Sequence, residues 1–308
     1  MTGGEVPAVG PSAGLRFYSA FGLAIASEFP LLAPPAIPPT RADVLIRLGA
    51  VPARIPSPRV VGRSFEARRS EFLLRIGRGA RMLVREGREI LIERGGSSDA
   101  DIESAFWVSA VAALLLQRGV VALHASAVRL RRGAVLFAGA SSSGKSTLLA
   151  AMVERGHPGI ADDVVAVGFD REGRALALPS HPILHANADT RTAFGLRAVD
   201  APEGHGERRP VRLGNFYPDE APISEIYLLT PSPGDEGGAV AVEGVRRFDE
   251  LASQTYGLEY LDGLDTRARH FEEIARLAAA TDTLRLTIPN GHDTVRRLAR
   301  SVELDAFR

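Results

Sequence analysis

The sequence predicts an α/β protein in which a phosphate-binding loop rides on a mixed sheet, preceded by a smaller β-rich domain. Three observations carry this. The stretch Gly139-Ala140-Ser141-Ser142-Ser143-Gly144-Lys145-Ser146 matches G-x-x-x-x-G-K-[ST], with an apolar strand-like run before it and a helical run after it. A second apolar run, 120–128, turns back at Arg131-Arg132-Gly133 to feed the loop's own strand, so the two are antiparallel neighbours and the sheet is mixed. Residues 15–94 consist of short apolar stretches punctuated by turns, the texture of strands. The chain therefore divides into a loose Gly/Pro-rich N-terminus (1–14), a β-rich accessory domain (15–95) and a P-loop domain (96–308).

Composition narrows the function. Of 308 residues, 45% are hydrophobic, enough for a real core, so global disorder is excluded. Lys+Arg and Asp+Glu are 37 each, so bulk charge gives no case for a nucleic-acid or anionic-membrane partner, and neither is expected. The absence of cysteine removes disulfides, thiolate metal sites and cysteine nucleophiles. The first residues lack the basic and apolar regions of a signal peptide. The longest apolar stretch, Trp107 to Leu116, is too short to span a bilayer. A cytoplasmic protein is expected.

In chain order, Asp43–Leu48 reads as a strand, and 71–76, 81–85 and 89–93 read as a meander with turns at 77–79 and 86–88. Pro30 to Pro39 is a loop. Ser97-Ser98-Asp99 caps a helix that runs to Gln117 and stops at Gly119; it is apolar nearly all round, so it is buried between the two parts. Val120–Val128 reads as one strand with His124 in its middle, and 133–138 as the strand of the P-loop. After the loop helix, Val165–Phe169 and Ala175–Leu178 form a hairpin. Residues 180–222 show no period and read as loops near the site. Ile226–Leu229 is a strand, Pro231–Gly238 a linker, and helices follow from Phe248 and over 268–280. Leu284–Ile288 is a strand and 293–302 a closing helix.

The chemistry starts from the loop. Gly139 and Gly144 allow the backbone to wrap an anion, and its N–H groups with the helix N-terminus present positive potential. Residues Gly139, Ala140, Ser141, Ser142, Ser143, Gly144, Lys145, Ser146 and Thr147 are the expected nucleotide contacts. Lys145 reaches the outer phosphates and Ser146 offers its hydroxyl to Mg²⁺, so ATP and Mg²⁺ are the expected cofactors. Asp162-Asp163 follows Lys145 by one helix and a turn. One carboxylate there can hold Mg²⁺, and the other can accept a proton from an attacking hydroxyl. By position alone His124 in an apolar strand reads as a hydrogen-bonded core residue sooner than a functional one, His157 equally as a helix-end residue, and Arg208 and Arg209 as solvated or phosphate-neutralising charges.

The run Leu123-His124-Ala125-Ser126, the loop from Gly139 to Ser146, then Arg155-Gly156-His157 and Ala161-Asp162-Asp163-Val164 together resemble the HPr kinase/phosphorylase family, over about residues 120–170. The resemblance implies the sheet shared by HPr kinase and phosphoenolpyruvate carboxykinases, and transfer of phosphate to a serine hydroxyl. It implies that Asp163 is the base, supported by Asp162, that Ser146 and Asp162 face the metal, that Lys145 binds phosphate, and that His124 lies by the transferring phosphate. Two features differ. The family's Lys-Ser-Glu is Lys145-Ser146-Thr147 here, and its later Glu-Val-Arg-Gly-Leu-Gly signature is absent, with Asp189 the one candidate replacement. Neither HPr as substrate nor the reverse reaction is therefore carried over. The layout is more similar to divergent HPr-kinase-related proteins, some of which phosphorylate a serine on a lasso-peptide precursor. A peptide or small-protein acceptor is thus expected. A non-catalytic nucleotide-binding regulator and a small-molecule kinase stay open, as does a homo-oligomer.

Overall fold

Apolar runs that do not alternate demand cover on both faces of a sheet, and the N-terminal strands get it. The structure, a computed structural model, describes residues 14–199, 208–232, 238–289 and 291–304. Eight strands form the first sheet, in spatial order Arg16–Ala20, Leu23–Ser27, Val44–Leu48, Glu89–Glu93, Arg81–Arg85, Glu71–Arg75, Phe65–Arg68 and Val60–Val61. The predicted meander is there, with Leu73 opposite Leu83 and Leu83 opposite Leu91. Those residues pack against Val51 and Ile55 on one face. Phe72, Leu74, Met82, Val84, Ile90 and Ile92 fill the other.

Sequence reading missed the hairpin of Arg16–Ala20 with Leu23–Ser27. Its two-residue turn is Phe21-Gly22, both at positive φ (56° and 70°). Such turns usually advertise themselves as Asn-Gly or Asp-Gly, and a phenylalanine hides this one.

The helix predicted from Ser97 is capped by Ser98, whose hydroxyl accepts from the Asp101 N–H at 3.1 Å. It runs as α-helix over Asp99–Ala105, widens to a π-turn over Phe106–Ala110 and returns to α over Val111–Gln117. Ile102, Phe106, Trp107 and Val111 through Leu116 are buried, as its apolar circumference requires. They share one core with Phe72, Met82 and Ile90 of the first sheet, Ala122 and Ala166 of the second, and Tyr260, Leu261 and Leu264. Each large side chain fully buried there contributes roughly 1.5–3 kcal/mol. The two sheets are thus joined through a common core around this helix. Trp107 also stacks flat on His181, ring centroids 3.8 Å apart.

The second sheet has nine strands and is mixed, as expected. Ala125–Leu130 lies antiparallel to the P-loop strand Gly133–Ala138, which runs parallel to Ala221–Ser232, itself parallel to Asp282–Pro289. Gly159–Ala161 borders Ala125–Leu130. The predicted hairpin Val165–Phe169 with Ala175–Leu178 completes the other side. The P-loop helix, Lys145–Glu154, packs Leu148, Leu149 and Met152 against Phe137 of its own strand and against Val295, Leu298 and Val302 of the closing helix His292–Glu303.

Two expectations need correction. Residues 120–128 are not one strand: Val121–Leu123 pairs with Val165–Phe169, while Ala125–Leu130 pairs with the P-loop strand. The break falls at His124, whose N–H donates to the Gln254 carbonyl at 2.7 Å, outside the ladders. Residues 180–222 are not only loops. Ile183–Ala186 pairs with Arg209–Arg212, and Ala188–Ala193 is a helix capped by Asn187, which accepts from the Thr190 N–H at 2.8 Å. These pieces are too short for a period, and the strand pair closes across more than twenty intervening residues, a pairing that local pattern does not encode. The strand expected at 226–229 spans Ala221–Ser232, and Ala239–Ala241 adds an unforeseen edge strand; the linker residues 233–237, like the N-terminal residues 1–13, lie outside the described residues.

Candidate nucleotide and phosphoryl-transfer site

The P-loop has the backbone its sequence demands. Gly139, Ser142 and Gly144 all have positive φ (155°, 63° and 96°). A Cβ on Gly139 would meet the Ser143 hydroxyl at 2.7 Å and the Leu229 carbonyl at 3.0 Å, so only glycine fits. Lys145 is buried, and its ammonium donates to the carbonyls of Gly139 and Ala140, both at 2.9 Å. Burial pushes its pKa down, against the opposing pull of Asp163 and Asp162. The Ser143 hydroxyl is buried in the loop without a hydrogen-bond partner among the described residues, a donor suited to a phosphate oxygen. Thr147 bonds the Thr190 hydroxyl at 3.2 Å.

The carboxylate pair sits beside the loop, at the end of the strand Gly159–Ala161. Asp162 is buried and accepts from Ser126 Oγ at 2.6 Å, Ser146 Oγ at 3.0 Å and the His185 N–H at 3.1 Å. Burial raises its pKa, and the neighbouring Asp163 charge adds to that; Arg208 and the Ser126 bond oppose it. Asp163 has a left-handed backbone, φ 63°, which aspartate tolerates better than most residues. Its carboxylate meets His185 Nδ1 at 3.4 Å and Arg208 Nη1 at 3.3 Å. Burial alone would raise its pKa, but the His185 bond and the Arg208 charge outweigh burial and hold it below the usual carboxylate range.

Arg208 spans the site. Its guanidinium donates to Ser146 Oγ at 2.8 Å and to the His185 carbonyl at 2.7 Å, and lies 3.9 Å from Asp162. His124 is half buried with its ring edge-on to Tyr256. Burial first and Lys145 second push its pKa down to about 4, so it is neutral at pH 7. Asp162, Asp163 and His185 bring ligand atoms within 4.8 Å of one another. With Ser146 Oγ against Asp162, a carboxylate and a hydroxyl make a hard-oxygen pair that fits Mg²⁺.

Lys145, Ser146, Asp162, Asp163, His124 and Arg208 thus converge. Others go elsewhere. Asp189 is exposed in the first turn of Ala188–Ala193. The His157 ring lies 3.1 Å from Glu303, and the His157 backbone N–H donates to the Met152 carbonyl at 3.1 Å, the helix-end role. Arg209 pairs through its backbone with Ala186. Sequence reading missed Ser126 and His185. Ser126 stood inside the quoted His-Ala-Ser run; His185 carried no local signal, because a strand pair unseen in the sequence places it. Cavities meet here, among them two that share His124, Ser141 and Asp163. One, of about 160 Å³, follows the P-loop; the other, of about 710 Å³, opens from the same His124, Ser141 and Asp163 toward the N-terminal sheet.

Fold and site define a P-loop protein whose loop sits on a mixed sheet beside a paired-carboxylate strand end. No family model matches the chain. Its sequence is similar to HPr kinase/phosphorylase of Chlorobium phaeobacteroides, 35% identical over 83 residues, which is 25% of this chain and 24% of that protein. It is also similar to tRNA modification GTPase MnmE of Methylorubrum populi, 31% identical over 190 residues, 53% of this chain and 41% of that one. The matches therefore span about a quarter and two-fifths of those relatives. The solved structure of the HPr(Ser) kinase/phosphatase from Coxiella burnetii aligns with 60% of this chain and 92% of its own, at 12% identity and a TM-score of 0.32. The resemblance read from the motifs is thus met again in the sequence match to HPr kinase/phosphorylase, over a quarter of the chain.

Proposed function

We propose that the protein is an ATP- and Mg²⁺-dependent kinase that phosphorylates a serine hydroxyl on a peptide or small protein, with a lasso-peptide precursor as the specific candidate. It acts in the cytoplasm, and homo-oligomerisation is compatible with this reading. Among the described residues no helix is long and apolar enough to cross a membrane. The observation that supports the kinase reading best is the placement of the two carboxylates. Asp162 is locked onto Ser146 at the foot of the P-loop, while the left-handed backbone at Asp163 turns the second carboxylate into the cavity that continues beyond the loop.

The roles follow from position. The P-loop amides and the Ser143 hydroxyl hold the phosphates, and Lys145 exchanges its two carbonyl partners for the outer phosphate oxygens. Ser146 and Asp162 would hold Mg²⁺, which when bound neutralises charge on the phosphates. Asp163 accepts the proton of the attacking hydroxyl. His124, neutral, offers a hydrogen bond to the transferring group without adding charge. Arg208 releases Ser146 and stabilises phosphoryl charge. The test is phosphopeptide mass spectrometry on serine peptides, lasso precursors included, with parent and Lys145→Ala. Phosphoserine made by the parent and lost in the variant supports the reading. Binding of ATP by a parent that phosphorylates no peptide would leave the nucleotide-binding regulator.

A further inference from the structure

The 710 Å³ cavity is larger than the phosphates need and is built by parts of the chain that the nucleotide reading does not use. One wall is a helix face: Asp101, Ser104, Ala105, Val108 and Ser109 recur at the spacing that puts side chains on one side of a helix. Small residues at 104, 105 and 109 leave the space, and the π-turn at Phe106–Ala110 widens the helix beside it. Ile76, Gly77 and Arg78, at the turn Gly77–Gly79 of the N-terminal sheet, line it as well. That turn is anchored rather than free. Arg78 holds φ 55°, its carbonyl accepts from the Gly96 N–H at 2.8 Å, and the Gly77 carbonyl accepts from the Ser97 hydroxyl.

The charges on the walls differ in occupation. Arg208 is engaged with Asp163, and Asp101 accepts from Ser98 Oγ at 2.7 Å. The Arg78 guanidinium is exposed at the rim and has no ion pair among the described residues. The cavity that Asp163 lines runs past this helix face and is lined by Arg78 as well.

We propose that this cavity is the acceptor site and that Arg78 selects an acidic side chain flanking the phosphorylated serine. The proposal rests on the kinase reading above and names its acceptor as an acidic peptide. The N-terminal sheet then serves specificity, presenting a fixed cation to the acceptor while the second sheet performs the transfer.

The experiment uses the full chain, Mg·ATP labelled on the γ-phosphate and an oriented library of serine peptides in which each flanking position is fixed in turn. The parent should favour Asp or Glu at one position by about fivefold, the upper range for an exposed ion pair. Arg78→Glu should invert that preference toward Lys or Arg, through KM rather than kcat, with Mg·ATP affinity unchanged. Arg78→Gln, which keeps length and drops charge, should abolish the preference without inverting it. Serine phosphorylation with no acidic preference, or an acidic preference kept by Arg78→Glu, overturns the inference and leaves the kinase reading standing. Mg·ATP binding with no peptide phosphorylated overturns both.

Discussion

Replacing Asp163 by asparagine isolates one atom's function. Asparagine tolerates the left-handed φ of 63° as well as aspartate does, so the backbone gains no strain. Alanine there would add strain of roughly 1–2 kcal/mol and blur the result. The amide oxygen can still accept from Arg208, now 3.3 Å from the carboxylate, but the amide cannot take a proton. The Ser146–Asp162 contact is untouched, so Mg·ATP affinity should stay within about threefold. Phosphoryl transfer should fall by ~10²–10⁴-fold, the span of general-base catalysis, or about 2.7–5.5 kcal/mol of barrier.

Stability should fall by about 1 kcal/mol, because the contacts that lose their charge, at 3.3 and 3.4 Å, are long ones. Its pH dependence has a fixed sign. The fold holds the Asp163 carboxyl below its ordinary value, so folding favours the ionised form. That contribution is complete above the unfolded value, about 3.9, and is lost as pH falls below it. Parent and variant should therefore converge in thermal stability in acid and diverge above about pH 5. Calorimetric ATP titration beside single-turnover phosphopeptide kinetics measures both effects. Near-parental transfer by the Asn variant would refute the base assignment.

Lys145→Ala should lose transfer and weaken ATP binding together, since the ammonium serves ground and transition states alike; unchanged transfer would remove the loop from the mechanism. Arg208→Ala should lower the Mg²⁺ concentration needed for nucleotide binding, because the guanidinium competes for Ser146 and both aspartates; an unmoved Mg²⁺ midpoint in calorimetry argues against that competition. His124, with its pKa near 4, should contribute no inflection to the transfer rate between pH 5 and 8; an inflection near 6.5 that vanishes in His124→Gln would contradict its neutral state. Deleting residues 1–95 should expose Ile102, Phe106 and Val111, which share a core with Phe72 and Ile90; a monomeric truncation that binds no hydrophobic dye would show that this core is dispensable.

Everything the sequence determined alone is local. The P-loop is legible because the demands on Gly139 and Gly144 are backbone demands, met within eight residues. The hairpins 125–138 and 165–178 are legible because their turns lie between their strands. The Asp162-Asp163 pair could be placed beside the loop because one helix separates them from Lys145. What the tertiary structure decided is non-local. His124 falls in a strand break because Val121–Leu123 and Ala125–Leu130 find different partners, and no pattern within 120–130 announces that. His185 reaches Asp163 through a strand pair closed by residues 209–212. Ser126 meets Asp162 across 36 residues of chain, and Arg208 meets Ser146 across 62. Opposed charges, hydroxyls and carboxylates act over a few ångströms, and only folding brings groups so far apart in sequence to that range. The preferences that made the loop readable act between adjacent residues, before any folding.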